Sequence, residues 1–153
     1  MKTPNLYLDT SVIGGYYDEE FMVATRKLFG DIKEGRYIAI VSSLTYRELL
    51  AAPYNVKSLV DNEEFSFQSI KFNDEAEALS EAYLKADVLG KKWEDDCSHV
   101  AMATVCGSDL LVSWNFKHIV QYEKIKAFNA VNLANGYQLI DIRSPLEVIY
   151  HEE

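Results

Sequence analysis

The sequence predicts one α/β domain over residues 1–153, with a central, mostly parallel β-sheet and helices on both of its faces. Two observations support this fold class. Short apolar runs that suit buried strands alternate along the chain with longer segments in which apolar residues recur at helical spacing. A length of 153 residues also fits a single domain with its own core, and no linker, repeat or low-complexity tract divides it.

The first half of the chain opens with an apolar strand that ends abruptly at Asp9. The glycine pair at 14–15 predicts only a short or broken helical turn after it. Gly35 and Pro53 are expected to end the helices that precede them. The expected elements are a strand over 6–8, a helix over 19–34, a strand over 37–41, a helix ending near 52, a helical segment over 54–64 and a strand over 65–72.

In the second half, Asn73 and Asp74 are suited to open a long helix, and Gly90 and Gly107 are suited to interrupt or end helices. Pro145 is typical of the first turn of a helix. The expected elements are helices over 75–89 and 93–106, a strand over 110–113, a helix over 116–127, a turn at 135–136, a strand over 138–142 and a terminal helical turn.

The charge of the chain excludes a simple electrostatic coat for nucleic acid. Fifteen basic and 24 acidic residues give a net charge of −9. Because phosphate attracts positive protein surfaces, any bound nucleic acid needs a local basic rim, a metal ion or a partner protein. The sequence shows no signal-peptide pattern and no apolar run near the roughly 20 residues of a membrane span, so we expect a cytoplasmic protein that does not enter a membrane.

Polar residues follow three of the predicted strands. Asp9 follows the first, Glu48 stands a few residues after the second, and Asn115 follows the strand at 110–113. Because ligands gather at the carboxyl ends of parallel strands, we expect these side chains near one another. Asp96 joins them as a candidate, since it stands near the start of a helix and in line with that helix's apolar stripe.

Each of these residues also has a purely structural interpretation. Asp9 suits a helix cap, Glu48 suits a capping box with Thr45, Asp96 suits an acid in a first helical turn, and Asn115 suits a turn. It is less probable that all four residues have a purely structural role than that any one of them does. If they form one site, its oxygen ligands point to Mg²⁺ or Mn²⁺.

The order of these residues resembles a known family, the PIN-domain ribonucleases, which include the VapC toxins of bacterial and archaeal toxin–antitoxin pairs. The resemblance spans nearly the whole chain, and the first and third matching segments are the more specific. The matching segments are Leu6-Tyr7-Leu8-Asp9-Thr10-Ser11-Val12-Ile13, Ser43-Leu44-Thr45-Tyr46-Arg47-Glu48-Leu49, Asp96-Cys97-Ser98-His99-Val100-Ala101-Met102-Ala103 and Leu111-Val112-Ser113-Trp114-Asn115-Phe116.

The resemblance implies a PIN-like three-layer α/β sandwich and a metal-dependent endoribonuclease that hydrolyses RNA. It implies Asp9, Glu48 and Asp96 as ligands of Mg²⁺ or Mn²⁺, with Ser11 and Ser113 in supporting positions. The metal would lower the pKa of a bound water and stabilise charge on the attacked phosphate. The resemblance further implies a separate antitoxin protein as a partner, and dimerisation is common in the family.

Asn115 is the one departure from the family pattern, which carries a fourth acid at that position. An amide oxygen still ligates a divalent ion, but without a full charge. We therefore count Asn115 among the catalytic candidates and keep an alternative function open, a catalytically weak or inactive PIN-like module that binds RNA or a protein. A phosphatase with Asp9 as nucleophile is disfavoured, because Ser11 stands where a second aspartate would be expected.

Basic residues around these segments are candidates for contact with RNA. Arg47, Lys117 and His118 are the main candidates, and solvated surface is the competing interpretation of the whole rim. The predicted rim consists of Arg47, Lys91, Lys92, Lys117, His118, Lys124 and Lys126. His99 is assigned to hydrogen-bonded packing, with a role in the site as the alternative. The two tryptophans, Trp93 and Trp114, are assigned to packing, with base stacking by Trp114 as the alternative.

Overall fold

The centre of the structure is a sheet of five parallel strands. The computed structural model describes residues 2–151. The strands are β1 (Asn5–Leu8), β2 (Ile38–Ser42), β3 (Gln68–Ile70), β4 (Leu110–Val112) and β5 (Asp141–Arg143). They are arranged in the order β3-β2-β1-β4-β5, and every neighbouring pair is parallel. β1 is therefore central, and its neighbours β2 and β4 lead outward in opposite directions.

Helices cover both faces of this sheet. They are α1 (Thr10–Gly15), α2 (Met22–Lys33), α3 (Ser43–Leu49), α4 (Tyr54–Lys57), α5 (Asp74–Lys85), α6 (Glu94–Val105), α7 (Tyr122–Ala134) and α8 (Pro145–Val148), with 3-10 turns at Ser58–Asp61 and Lys91–Trp93. One apolar core joins the sheet to α5, α6 and α7, and a second joins it to α1, α2 and α8. This arrangement confirms the predicted three-layer sandwich.

The central position of β1 in the sheet explains why its sequence is apolar without interruption. Successive side chains of a strand point to opposite faces of the sheet. Leu6 and Leu8 accordingly belong to the core beneath α1 and α2, whereas Tyr7 belongs to the core beneath α5 and α6. All three side chains are fully buried. Burying both faces of β1 fixes its register, and this fixes the place at which Asp9 leaves the sheet.

The prediction for the segment after β4 was wrong. The expected helix over 116–127 begins only at Tyr122, because the backbone folds first into turns in which the amides of Ile119 and Val120 bond the Asn115 carbonyl. Gln121 then caps the helix through its side chain. The last strand is also shifted, from the expected 138–142 to Asp141–Arg143.

The start of α3 also differs from the expected one. The helix begins at Ser43, with Ser42 as its cap, and a capping box links Ser42 to Thr45. Glu48 is therefore excluded as the capping-box acid, and its carboxylate is left for other contacts. The expected strand over 65–72 is limited to Gln68–Ile70, and the expected helix over 93–106 divides into the 3-10 turn and α6.

Across residues 2–151, the helices are all too short or too polar to span a lipid bilayer.

Candidate active site

The candidate site lies where β1 and β4 end side by side. Leu8 pairs with Val112 in the parallel register, so the next residues, Asp9 and Ser113, leave the sheet as neighbours. The backbone amide of Asp9 still bonds the Val112 carbonyl at 3.2 Å. β2 ends on the other side of β1 and continues directly into α3, which carries Glu48. The parallel sheet thus brings the predicted segments to one edge.

Asp9 occupies the cap position of α1, but its side chain makes no capping bond. Its carboxylate turns instead toward two hydroxyls: Ser11 donates to Oδ1 and Ser113 donates to Oδ2, both at 2.6 Å. Only 4% of Asp9 is exposed. Burial raises the pKa of this carboxyl, while His99 and the two serine hydroxyls act to lower it. A helix cap therefore does not account for Asp9.

The two serines are themselves held by the backbone. The amide of Trp114 donates to Ser11 Oγ, and the amide of Asn115 donates to Ser113 Oγ, each at 2.9 Å. Because each hydroxyl accepts from the main chain, its proton is directed to the Asp9 carboxylate. The chain after β4 thus positions Asp9 through Ser11 and Ser113.

Glu48 projects from α3 toward a buried histidine of α6. His99 Nε2 donates to Glu48 Oε1 at 2.5 Å, and His99 Nδ1 lies 2.8 Å from the Tyr7 hydroxyl. That hydroxyl in turn shares a hydrogen bond with Ser42. Burial lowers the pKa of His99, but the hydrogen bond and charge of Glu48 outweigh it, and the net pKa is raised. His99 thus orients Glu48 from below the site.

Asp96, in the first turn of α6, is held by residues that follow β4. His118 Nδ1 donates to Asp96 Oδ2 at 3.0 Å, and the Asn115 amide nitrogen contacts the same oxygen at 3.3 Å. The other end of the amide, Asn115 Oδ1, accepts the backbone N–H of His118 at 2.9 Å. Asn115 is therefore both a turn residue and a neighbour of Asp96, and it presents its N–H group, not its oxygen, to that carboxylate.

Asp96 lies within electrostatic reach of both Asp9 and Glu48. Burial raises the pKa of Asp96, with a further contribution from Glu48, and Asp96 in turn contributes to the raised pKa of Asp9. Their hard oxygen donors suit a divalent ion such as Mg²⁺. Among the residues that the structure describes, however, no three Asp, Glu, His or Cys side chains are arranged to hold an ion. Each carboxylate instead accepts hydrogen bonds from its own set of donors.

A cleft of about 430 Å³ opens beside two of these acids, Glu48 and Asp96, while Asp9 lies buried behind its lining. It is lined by Glu48, Lys92, Trp93, Asp95, Asp96, Asn115, Lys117 and His118. Of the residues proposed for RNA contact, Lys117 is exposed on its rim, while His118 is mostly buried against Asp96. Arg47 does not line the cleft, and its guanidinium pairs with Asp95 at 2.9 Å. Contact of these residues with RNA stays a prediction.

Sequence reasoning assigned His99 to packing and did not identify its contact with Glu48. Its side chain is indeed buried, but it also carries the hydrogen bond that orients an acid of the site. The available signal was its position three residues after Asp96, which places it near the same face of α6. Trp93 was likewise assigned to packing, although it is partly exposed and lines the cleft. Trp114 is buried, as expected.

Comparison with known proteins identifies this fold. Neither the protein-family models nor the curated proteins gave a match. Among solved structures, the chain is similar to VapBC2 from Rickettsia felis, determined bound to a DNA fragment from their promoter, with a TM-score of 0.58 and 14% identity over 92% of this chain and 98% of that one. It is also similar to FitAcB from Neisseria gonorrhoeae, with a TM-score of 0.60 and 15% identity over 94% and 99% of the two chains. The chain therefore has the PIN-domain fold.

Proposed function

We propose that the chain is a metal-dependent endoribonuclease that hydrolyses RNA phosphodiester bonds. One observation carries this proposal: Asp9, Glu48 and Asp96 come from three separate segments, yet they lie at one edge of the sheet, with Asp96 within electrostatic reach of the other two. Burying or crowding carboxylates in this way is unfavourable unless a cation compensates them. A bound metal ion would compensate the buried Asp9 carboxylate more fully than its two serine hydroxyls do.

Mg²⁺ or Mn²⁺ is the proposed cofactor, with Asp9, Glu48 and Asp96 as its ligands. When bound, such an ion lowers the pKa of water and offsets the charge of the phosphate. The donor chemistry supports this choice, because all three side chains offer hard oxygen ligands. Since Glu48 and Asp96 are engaged with His99 and His118 in the structure, we expect side-chain rearrangement on binding.

The remaining residues of the site would position these acids and the RNA. Ser11 and Ser113 hold both oxygens of Asp9 and so fix the direction of its free lone pairs. His118 restrains Asp96 from the cleft side. Lys117, exposed on the rim, is suited to neutralise a phosphate of the substrate, because an ammonium group at the edge of an acidic cleft is free to form that contact. No side chain is required as a nucleophile.

A cleavage assay tests this function directly. A labelled single-stranded RNA is incubated with the protein and millimolar Mn²⁺, with Mg²⁺, or with a chelator. We expect cleavage with either metal and none with the chelator. Asp96→Asn should lose at least about a hundredfold in rate, since it removes a charge that is central to the site. Asp87→Asn is the matched control, because Asp87 is exposed and adopts a positive φ that asparagine also tolerates.

The alternative is a PIN-like module that binds RNA or protein without cutting. The geometry of Asn115 favours it, because the Asn115 oxygen is already engaged by the backbone N–H of His118 and the amide N–H faces Asp96. A wild-type protein that binds Mn²⁺ and RNA but leaves the RNA intact would establish this alternative and exclude the nuclease. Cleavage by the wild type would exclude the alternative.

We also propose a separate antitoxin polypeptide as partner, so that the chain would act as the toxin of a pair. The structural neighbours VapBC2 and FitAcB are toxin–antitoxin complexes. A groove of about 850 Å³ on the α2 face is suited to an apolar segment of such a partner and is lined mainly by Phe21, Val23, Ala24, Trp114, Phe116, Leu146 and Ile149. A homodimer stays a prediction.

Co-expression with the product of the neighbouring gene tests the antitoxin. We expect a complex on size-exclusion chromatography and inhibition of cleavage. Val23→Glu, at a site that is 83% exposed in the groove, should weaken the complex, while Leu139→Glu, at a site that is 62% exposed beyond it, should not. If the product of the neighbouring gene neither binds the chain nor inhibits cleavage, that protein is not the antitoxin.

A further inference from the structure

The rim of the acidic cleft carries an indole with two lysine ammonium groups near its ring. Trp93 is partly exposed and lines the cleft. Lys92 Nζ lies 5.1 Å from the centroid of the Trp93 ring, and Lys117 Nζ lies 5.8 Å from it. Both lysines are exposed. In a chain with a net charge of −9, these lysines place two positive charges beside the carboxylates of the cleft.

Trp93 is also fixed relative to the acids. It ends the 3-10 turn Lys91–Trp93 and occupies the cap position of α6, so the helix sets its distance from Asp96, three residues further on. Its ring lies against that of His118, with centroids 4.2 Å apart, and His118 bonds Asp96. The indole is therefore a rigid wall of the same cleft and not a freely moving surface side chain.

We propose that Trp93, Lys92 and Lys117 form a subsite for one nucleotide of single-stranded RNA next to the carboxylates. This rests on the proposed function and names the substrate class of that site. An aromatic face stacks any unpaired base, and flanking cations hold the phosphates on either side of it. Among residues 2–151, neither lysine forms an ion pair, and both contact the indole through weak cation–π attraction, so they can turn to phosphate when RNA enters.

Intrinsic fluorescence reports directly on this subsite. The chain has two tryptophans, and the other one, Trp114, is buried and donates a hydrogen bond to Thr25. Titration with a single-stranded oligoadenylate, in a chelator so that no cleavage occurs, should quench the wild type. Trp93→Phe should show no quenching, because only the buried Trp114 remains. Undiminished quenching in Trp93→Phe would overturn the proposal.

Affinity measurements give a second readout. By anisotropy of a labelled oligoadenylate, Trp93→Ala should weaken binding roughly five- to a hundredfold, the effect of one lost stacked base, and Trp93→Phe should weaken it less. A duplex RNA should not quench Trp93, because its base faces are already stacked. If Trp93→Ala and the wild type bind alike, the indole takes no part in binding and the proposal fails.

The lysines are tested by salt dependence. Each phosphate contact contributes about 0.7 to the slope of log affinity against log salt for a single strand, so Lys92→Gln and Lys117→Gln should each reduce that slope by about this amount. Lys33→Gln is the matched control: Lys33 is exposed in the last turn of α2, which precedes the amino-terminal end of β2 and so lies at the opposite edge of the sheet. Equal slopes in all three variants would contradict the proposal.

These outcomes separate the subsite from the chemistry. Suppose that the wild type cleaves RNA with Mn²⁺, but RNA does not quench Trp93 and Trp93 does not contribute to affinity. The nuclease proposal is then supported and the subsite proposal is wrong. If Trp93 is quenched and contributes to affinity but no metal supports cleavage, the subsite stands and the nuclease is wrong. Circular dichroism of each variant shows that a loss of binding does not reflect a loss of fold.

Discussion

At the scale of the residue, the buried carboxylate of Asp9 lowers the stability of the fold. Its carboxylate is almost fully buried and has two hydroxyl donors, yet its pKa is raised because burial outweighs them. A charged group in this position opposes folding at neutral pH. The serines that hold it, Ser11 and Ser113, limit that cost without removing it. The presence of an aspartate at position 9 is therefore explained by function and not by stability.

We expect Asp9→Asn to stabilise the metal-free protein at neutral pH. The raised pKa means that, between the ordinary value of 3.8 and the folded value, the folded state binds more protons than the unfolded state. The free energy of unfolding of the wild type therefore falls as pH rises through that window. Asparagine does not titrate, so the advantage of the variant should grow across the window and be smallest near pH 4, at about the ordinary pKa of aspartate.

Urea unfolding of both proteins at about pH 4 and about pH 7.5 measures this difference. Asp87→Asn serves as control, since Asp87 is exposed and its variant should follow the wild type at both values. A variant that is less stable than the wild type by the same amount at both pH values would show that the hydrogen bonds of Asp9 outweigh its burial.

Asn115→Asp should destabilise the metal-free protein by roughly 1–2 kcal/mol. One oxygen of the new carboxylate can still accept the His118 amide, but the other would replace the Asn115 N–H that faces Asp96 at 3.3 Å. A hydrogen bond is then exchanged for repulsion between like charges. The same added charge should enlarge the rise in melting temperature produced by Mn²⁺.

Thermal unfolding with and without Mn²⁺ compares Asn115→Asp with Asn62→Asp. Asn62 makes a similar bond to a backbone amide, that of Glu64, but lies away from the site. Its variant should respond to Mn²⁺ as the wild type does. An unchanged response in Asn115→Asp would place position 115 outside the metal site.

At the scale of the element, α1 sits close against its neighbours. A Cβ atom added at Gly15 would lie 2.8 Å from both Thr25 Oγ1 and Trp114 Nε1, whereas one added at Gly14 would meet nothing within 4 Å. Gly15→Ala should therefore cost about 1–3 kcal/mol of stability through overpacking. Gly14→Ala should gain up to about 1 kcal/mol from helix propensity.

Urea unfolding of the two variants checks this contrast. Both substitutions add one methyl group to the same helix. The two variants therefore have the same composition and differ only in where that methyl group lies. Equal changes in stability would contradict the close packing of α1 against α2 and Trp114. A loss confined to Gly15→Ala would support it.

The local signals in the sequence were sufficient for most of the sheet. Strands β1, β2 and β4 are continuous apolar runs, because both of their faces are buried, and such runs are visible in the sequence. The segment from Phe116 to Gln121 was not predictable, because its turns depend on bonds to the carbonyl and side chain of Asn115. Its apolar spacing alone resembles that of a helix.

For the site, the sequence named the candidate acids but not the hydrogen-bond partners that the structure gives them. The competing interpretation of Glu48, a capping box with Thr45, is excluded because α3 begins earlier, at the Ser42 cap. The contact of Glu48 with His99 joins residues 51 positions apart, and no local pattern carries that information. Ser11 and Ser113 were predicted in supporting positions, and the parallel register of β1 and β4 brings both hydroxyls to the Asp9 carboxylate.

At the scale of the whole molecule, the strand order explains the position of the cleft. From central β1 the chain adds β2 and β3 on one side and β4 and β5 on the other. Ligands of open α/β sheets bind outside the carboxyl ends of the strands where this direction reverses. Asp9 and Ser113 lie at that reversal, and the proposed RNA subsite adjoins it. Topology thus explains why residues from four distant segments meet at this edge of the sheet.

The most direct test of the central claim, that Asp9, Glu48 and Asp96 form one metal site, is calorimetric titration with Mn²⁺. The wild type should bind the ion, and each of Asp9→Asn, Glu48→Gln and Asp96→Asn should weaken binding by more than about tenfold. Asp87→Asn should bind as the wild type does. If any of the three variants retains the wild-type affinity, that residue is not a ligand, and if all three retain it, the site proposed here does not exist.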